Sequence, residues 1–159
     1  MRYYDYYRSP QGQMLLVADG KALTGAYFTG QKYYPALQAD WRRDPRHAPL
    51  RRAKRELTEY FGGRRRRFGV RLAPQGTPFQ RLVWKAIASV GFGRTIPYAE
   101  LARRAGHPGS ARAVGAATGR NPIGVIVPCH RIVGSNGALT GYAGGLGKKR
   151  ALLALEARG

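Results

Sequence analysis

The stretch Ala73-Pro74-Gln75-Gly76-Thr77-Pro78 divides this chain of 159 residues into two parts of different character. Two prolines and a glycine so close together interrupt regular structure. The length and a hydrophobic content of 43% suffice for one domain, or two small ones, with a buried core. We therefore predict an α/β domain over residues 1–76 and a helical domain over residues 77–159.

The part before this boundary shows both strand-like and helical patterns. Residues 13–18 and 23–28 are strand-like, and Asp19-Gly20 between them predicts a hairpin because both residue types tolerate a positive φ. Apolar residues recur at helical spacing over residues 50–61. Apolar residues alternate over residues 68–72, which predicts another strand. Together these patterns indicate a small β-sheet with a helix.

The part after the boundary is predicted to be helical. Thr77 is a suitable N-cap with Pro78 at the first helical position, and an amphipathic apolar stripe then continues to Val90. A second short helix is predicted over residues 97–105, and a third begins near Ser110, a good N-cap. Two short helices joined by a glycine-containing turn form a candidate helix-turn-helix, although many helix pairs share this spacing.

The chain is strongly basic, with 28 Lys and Arg against 8 Asp and Glu and a net charge of +20 at pH 7. A field of this size attracts polyanions, of which nucleic acid is the usual one. An adaptation for solubility or a general bias toward arginine would give the same composition. The excess is not a basic tail, because residues 1–76 hold 16 basic and 6 acidic side chains and residues 77–159 hold 12 and 2.

No stretch of the sequence has the character of a membrane span or an export signal. No apolar run approaches the roughly 18 residues that a transmembrane helix needs. The first residues lack the apolar centre of a signal peptide. Because a lone thiol also fits a reducing environment, we expect an intracellular, cytoplasmic protein that does not enter membranes.

Cys129 is the only cysteine, and it lies between an apolar run and a histidine in Pro128-Cys129-His130-Arg131. A single cysteine forms no intramolecular disulfide and is a poor basis for a zinc site, which needs three or four ligands. Two interpretations stay open at this point. The thiol is either a reactive nucleophile or a small buried core residue, as free cysteines often are.

Six segments in order resemble the O6-alkylguanine-DNA alkyltransferase family of DNA repair proteins. The segments are Phe92-Gly93 with Pro97-Tyr98, Ala111-Arg112-Ala113-Val114-Gly115, Asn121-Pro122, Pro128-Cys129-His130-Arg131, Gly141-Tyr142-Ala143-Gly144-Gly145 and Glu156. The similarity runs from about Thr77 to Glu156, while the first half is only loosely similar. The resemblance implies a ribonuclease H-like α/β domain followed by a helical domain with a winged-helix-like helix-turn-helix.

The resemblance also implies a role for each matching residue. Cys129 would accept the alkyl group in a single turnover, His130 would take the thiol proton through a water molecule, and Glu156 would orient His130. The implied substrate-binding residues are Tyr98, Tyr142, Ala143 and Asn121. The implied DNA-binding residues are Arg112, which would fill the space of a flipped-out base, together with Tyr98, Ser110 and Ala113.

The implied partner is double-stranded DNA that contains O6-alkylguanine, with O4-alkylthymine as a further substrate. Members of the family with an N-terminal zinc site supply cysteines for it, and this chain has none there, so we expect no metal. We expect no cofactor either, because the damaged DNA would donate the alkyl group and the protein would accept it. We expect a monomer and leave cooperative binding along DNA open. The main alternative is a lesion-binding protein of the same fold that transfers nothing. A Cys–His hydrolase or a helix-turn-helix regulator explains fewer of these residues.

Overall fold

The computed structural model describes residues Met1 to Gly159. Its N-terminal part is a β-sheet covered by one helix. The strands are β1 (Tyr3–Ser9), β2 (Gly12–Ala18), β3 (Leu23–Phe28) and the short β4 (Arg42–Arg43). They lie in the order β3-β2-β1-β4, and only β4 runs parallel to its neighbour β1. Helix α1 (Ala48–Phe61) packs against β1 and β2, so its apolar stripe is buried as predicted.

Two details of this part differ from the sequence-based predictions. The hairpin between β2 and β3 exists, but neither Asp19 nor Gly20 has a positive φ. Instead, the Asp19 carboxylate accepts hydrogen bonds from the backbone N–H groups of Lys21 and Ala22. These side-chain bonds stabilise the turn. The prediction of a strand over residues 68–72 is wrong. Only Leu72 pairs with the sheet, through a single parallel bridge to Leu23.

The C-terminal part contains the predicted helices. They are α2 (Pro78–Ala88), α3 (Tyr98–Arg104) and α4 (Ala111–Gly119), and α4 packs against both others. Thr77 and Gln80 form a reciprocal capping box at the start of α2. Helices α3 and α4 form the expected helix-turn-helix pair. Ser110 occupies the N-cap position of α4, but its side chain makes no capping hydrogen bond.

Three further elements of this part were not predicted. They are a two-stranded parallel ladder of β5 (Ile96–Pro97) and β6 (Ile132–Val133), a 3₁₀ turn (Cys129–Arg131) and helix α5 (Leu146–Arg158). The buried residues of α5 are Lys149, Leu152 and Glu156. Two of these three are charged, so hydrophobic periodicity does not reveal the helix.

The two parts share one core. A single cluster of 29 buried apolar residues includes side chains from both sides of the boundary. The edge of β3 also continues into the C-terminal part, because Ala26 donates its N–H to the Pro122 carbonyl and accepts from Gly124. This contact anchors the segment that leads to Cys129. None of the helices is both long enough and apolar enough to cross a membrane.

Candidate active site

Cys129 is the first residue of the 3₁₀ turn, which follows a tightly folded loop. Cys129 is only 8% exposed to solvent. Val125 in this loop has a φ of 70°, which is strained for a β-branched residue. The side chain of Asn121 holds the loop by accepting from the Ile123 N–H at 3.0 Å and donating to the Val127 carbonyl at 2.8 Å. Asn121 therefore supports the cysteine loop, and it does not line the cavity that Cys129 borders.

The environment of Cys129 favours the protonated thiol. Burial raises the pKa of Cys129, while the Asn121 side chain and the positive charge of Lys149 oppose that shift less strongly. A thiol is a much weaker nucleophile than a thiolate. Any nucleophilic role of this sulfur therefore needs a base close to it.

Glu156 is the centre of a buried hydrogen-bond network beside the cysteine. Its carboxylate accepts five hydrogen bonds, which involve both oxygens. The donors are His130 Nε2 at 2.7 Å, Tyr60 Oη at 2.6 Å, Arg131 Nε at 2.8 Å and Nη2 at 2.9 Å, and the Gly93 N–H at 3.2 Å. Burial alone would raise the pKa of Glu156, but the bonds from His130 and Arg131 hold it far below its usual range. The carboxylate is therefore ionised.

The same network fixes the tautomer of His130. An ionised carboxylate offers only acceptors, so Nε2 of His130 must carry a proton. Burial lowers the pKa of His130 more than the neighbouring Glu156 raises it, which favours the neutral ring. Nδ1 is then a lone-pair acceptor, and it is buried without any hydrogen-bond partner. A buried nitrogen with a free lone pair therefore belongs to the residue that follows the only thiol.

A cavity of about 840 Å³ opens next to this network. The residues predicted for the site that line it are Tyr98, Ala113, Cys129, Tyr142 and Ala143. His130 and Glu156 lie behind Cys129, fully or almost fully buried. Arg112 is exposed on α4, and Ser110 is half-buried at its start; neither lines the cavity. The predicted site residues thus fall into three groups, which are the cavity wall, a buried hydrogen-bond network and an exposed arginine.

Several residues at the site were not predicted to belong to it. Lys32 and Tyr33 of the N-terminal part line the cavity, and the Lys32 N–H donates to the Ala143 carbonyl at 3.1 Å. The Arg120 guanidinium stacks on the Tyr33 ring, 3.8 Å from its centroid. Such contacts join residues far apart in sequence, so no local pattern indicates them.

Lys149 is another unpredicted contributor, and it is fully buried. Its ammonium donates to the carbonyls of Ile132, Thr140 and Gly141 at 2.6, 2.7 and 3.2 Å. Burial lowers the pKa of Lys149, and the Cys129 sulfur opposes that shift. The three bonds fasten the loop that carries Tyr142 to helix α5, so they shape one wall of the cavity.

The sequence is similar to a known family over nearly its whole length. A family model described as "6-O-methylguanine DNA methyltransferase, DNA binding domain" matches residues 78–158. The chain belongs to the 6-O-methylguanine DNA methyltransferase family. A second family model, its "ribonuclease-like domain", matches residues 2–74. DNA is therefore the binding partner of this chain. The helix-turn-helix lies within residues 78–158, which match the DNA-binding domain of the family.

Individual relatives agree with this assignment. The methylated-DNA–protein-cysteine methyltransferase of Methanosarcina barkeri is 46% identical over 154 residues, covering 97% of this chain and 96% of the relative. That of Mycobacterium bovis is 45% identical, with coverage of 98% and 93%. A crystal structure of Mycobacterium tuberculosis OGT in complex with DNA superimposes with a TM-score of 0.90 at 43% identity, covering 98% of this chain and 93% of that chain. The predicted family and fold class are confirmed.

Proposed function

We propose that this chain repairs DNA by direct reversal, moving the alkyl group of O6-alkylguanine onto its own Cys129. The observation that carries the proposal is the buried network in which ionised Glu156 holds His130, the residue after the only thiol, and leaves its Nδ1 without a hydrogen-bond partner. Membership of the 6-O-methylguanine DNA methyltransferase family supports the same chemistry. O4-alkylthymine offers an equivalent alkyl–oxygen bond and is included as a substrate. The lone thiol fits a reducing environment, so we also propose an intracellular, cytoplasmic location.

The first step of the proposed reaction is ionisation of the thiol. His130 Nδ1 takes the Cys129 proton through one water molecule, and the resulting imidazolium is stabilised by the ionised Glu156. This is the logic of a nucleophile–histidine–acid triad. Arg131 keeps the carboxylate ionised throughout, because its guanidinium pairs with both carboxylate oxygens.

The second step is displacement at the alkyl carbon. The thiolate forms a carbon–sulfur bond while the carbon–O6 bond breaks, and the electron pair passes to the guanine, which is released after protonation. Tyr142 and the adjacent Ala143 N–H, both at the cavity, support the developing negative charge on O6. Burial raises the pKa of Tyr142 far above its usual value, so this hydroxyl stays a donor. The thioether that forms is not hydrolysed, so each molecule acts once without a cofactor.

DNA reaches the site through the helix-turn-helix. The target base is stacked inside the duplex and must rotate out to enter a cavity whose walls include Tyr98 and Ala113. Arg112 is the next residue to Ala113 on α4 and is exposed, so it is placed to fill the vacated position in the stack. Ser110 begins the same helix and approaches the backbone in the minor groove. In this arrangement one helix both lines the cavity and supplies the inserted side chain.

Incubation with duplex DNA carrying O6-methylguanine is expected to add one methyl group to the peptide that contains Cys129. Mass spectrometry of the digested protein measures the adduct, and the repaired strand should contain unmodified guanine. The same duplex with ordinary guanine is the control and should leave the mass unchanged. Intact binding with an unchanged mass would instead identify a lesion-binding protein without transfer activity.

Arg112→Ala is expected to slow transfer from duplex DNA by about 10- to 100-fold. Unstacking a base costs a few kcal/mol, and in this variant no side chain would fill the vacated position and offset that cost. Transfer from the free base O6-benzylguanine needs no base flipping and should hardly change. The single-turnover rates with both substrates measure the difference. Arg150→Ala, which removes the same charge from an exposed position on α5, is the matched control. Equal losses with both substrates would count against insertion of Arg112.

A further inference from the structure

Tyr60 connects the N-terminal part to the network beside the thiol. It lies in the last turn of α1, is fully buried, and its hydroxyl donates to Glu156 Oε2 at 2.6 Å. That oxygen also binds His130 Nε2 at 2.7 Å. An N-terminal side chain therefore contacts the same carboxylate atom that holds the histidine.

We propose that Tyr60 is a positioning residue that sets the basicity of His130 through Glu156. This inference rests on the proposed alkyl transfer to Cys129. Because Glu156 is ionised, the hydrogen bond can run only from the tyrosine hydroxyl to the carboxylate. Each donor on Oε2 spreads part of its negative charge and so weakens the stabilisation that the carboxylate gives to a protonated His130.

The surroundings of Tyr60 separate this role from packing. Its ring meets Phe61, Phe68 and Phe92 with centroids 5.2, 5.4 and 6.2 Å away, so an aromatic ring without a hydroxyl fills the same space. Burial, followed by the charge of Glu156, raises the pKa of Tyr60 well above its usual value. The hydroxyl therefore keeps its proton over the whole pH range in which His130 titrates.

Other charged and titratable groups also act on His130, and Tyr60 is distinguished from them by acting through Glu156. These groups are Glu156, Arg131 and Lys149. A Tyr60→Phe substitution leaves all of them in place. It also preserves the aromatic contacts, so the electrostatic effect of one hydroxyl is isolated.

The test is the pH dependence of alkyl transfer from the free base O6-benzylguanine, which needs no DNA. Protonation of His130 removes the base, so the rate falls on the acid side. In Tyr60→Phe we expect this acid limb to move to higher pH by about half to one unit, the effect of one hydrogen bond. Above the limb, the rate should stay close to that of the unmodified protein.

Tyr7→Phe is the matched control, because the Tyr7 hydroxyl also contacts α1, at Thr58 Oγ1 with a distance of 3.1 Å, but meets no carboxylate. Its acid limb should not move. A uniform loss of rate in Tyr60→Phe without a shift would assign Tyr60 to packing and overturn the proposal. An unchanged profile would overturn it as well.

NMR titration of His130 gives a second readout that requires no transfer. The chain has only 3 histidines, so the ring signals can be assigned, and the His130 pKa should rise in Tyr60→Phe. If the unmodified protein accepts no alkyl group, the proposed function fails while this titration still decides the role of Tyr60. In the unmodified protein, the Tyr60 hydroxyl proton should shift as His130 titrates. If the Tyr60 hydroxyl signal of the unmodified protein does not change as His130 titrates, the proposed coupling of Tyr60 to His130 is refuted. This measurement does not require the Tyr60→Phe variant to fold.

Discussion

Cys129→Ser is expected to bind DNA carrying O6-methylguanine and to remove no methyl group from it. The serine hydroxyl is a far weaker acid than a thiol, so His130 cannot generate a comparable nucleophile, and transfer should slow by about a thousandfold or more. The substitution barely alters side-chain volume at a residue that is 8% exposed, so the fold and the cavity should persist. Loss of methyl from labelled DNA measures transfer, and a gel-shift titration measures binding.

The unmodified protein assayed in parallel provides the control for both measurements. The chain has no second cysteine, so no other thiol can take over. A methyl group found on Cys129→Ser at any position other than 129 would show that the acceptor has been wrongly assigned. Loss of DNA binding together with transfer would show that the substitution disturbs the helix-turn-helix.

Glu156→Gln is expected to damage both stability and transfer, because the carboxylate neutralises a buried cation. Arg131 is 6% exposed and would lose its only ion pair, and removing one partner of a buried pair costs about 3–5 kcal/mol. For a chain of this size the melting temperature should fall by about 10 °C or more. The glutamine amide also brings a donor to a position surrounded by donors.

Transfer from O6-benzylguanine to folded Glu156→Gln should slow by about a hundredfold, the usual contribution of acid–base catalysis. Calorimetry measures stability, and single-turnover labelling below the melting temperature measures transfer. Glu100→Gln is the matched control, because Glu100 pairs with Arg103 and Arg104 on the surface, where ion pairs contribute little. A Glu156→Gln protein as stable and as fast as the unmodified chain would exclude the role given to the network.

Local patterns in the sequence predicted much of the secondary structure. Helices α1, α2 and α4 were predictable because each buries an apolar stripe or begins with a suitable residue. The strand prediction for residues 68–72 failed because alternation of apolar and polar residues does not by itself provide a neighbouring strand for pairing. The turn at Asp19 was predicted, but for the wrong reason, since a carboxylate closes it and no positive φ is needed.

The parts of the site carried by short motifs could also be predicted, whereas those that depend on distant contacts could not. The segment around Cys129 and the residues Tyr98 and Tyr142 resemble family motifs, and the structure places all three at one cavity. Tyr60 and Lys149 gave no signal, because a tyrosine in a helical stripe predicts core and a lysine predicts surface. Only tertiary structure brings them to the network.

The bond between Tyr60 and Glu156 also has a consequence for folding kinetics. The two residues are separated by 96 positions, so their contact closes one of the longest loops in the molecule. Closing a loop of this length costs more conformational entropy than closing a short one, so we expect this contact to form late in folding. The buried network around Glu156 is therefore complete only when both ends of the chain have docked. A molecule in which α1 has not docked lacks this hydrogen bond, so we expect the acid limb of its transfer rate to lie at higher pH, as in Tyr60→Phe.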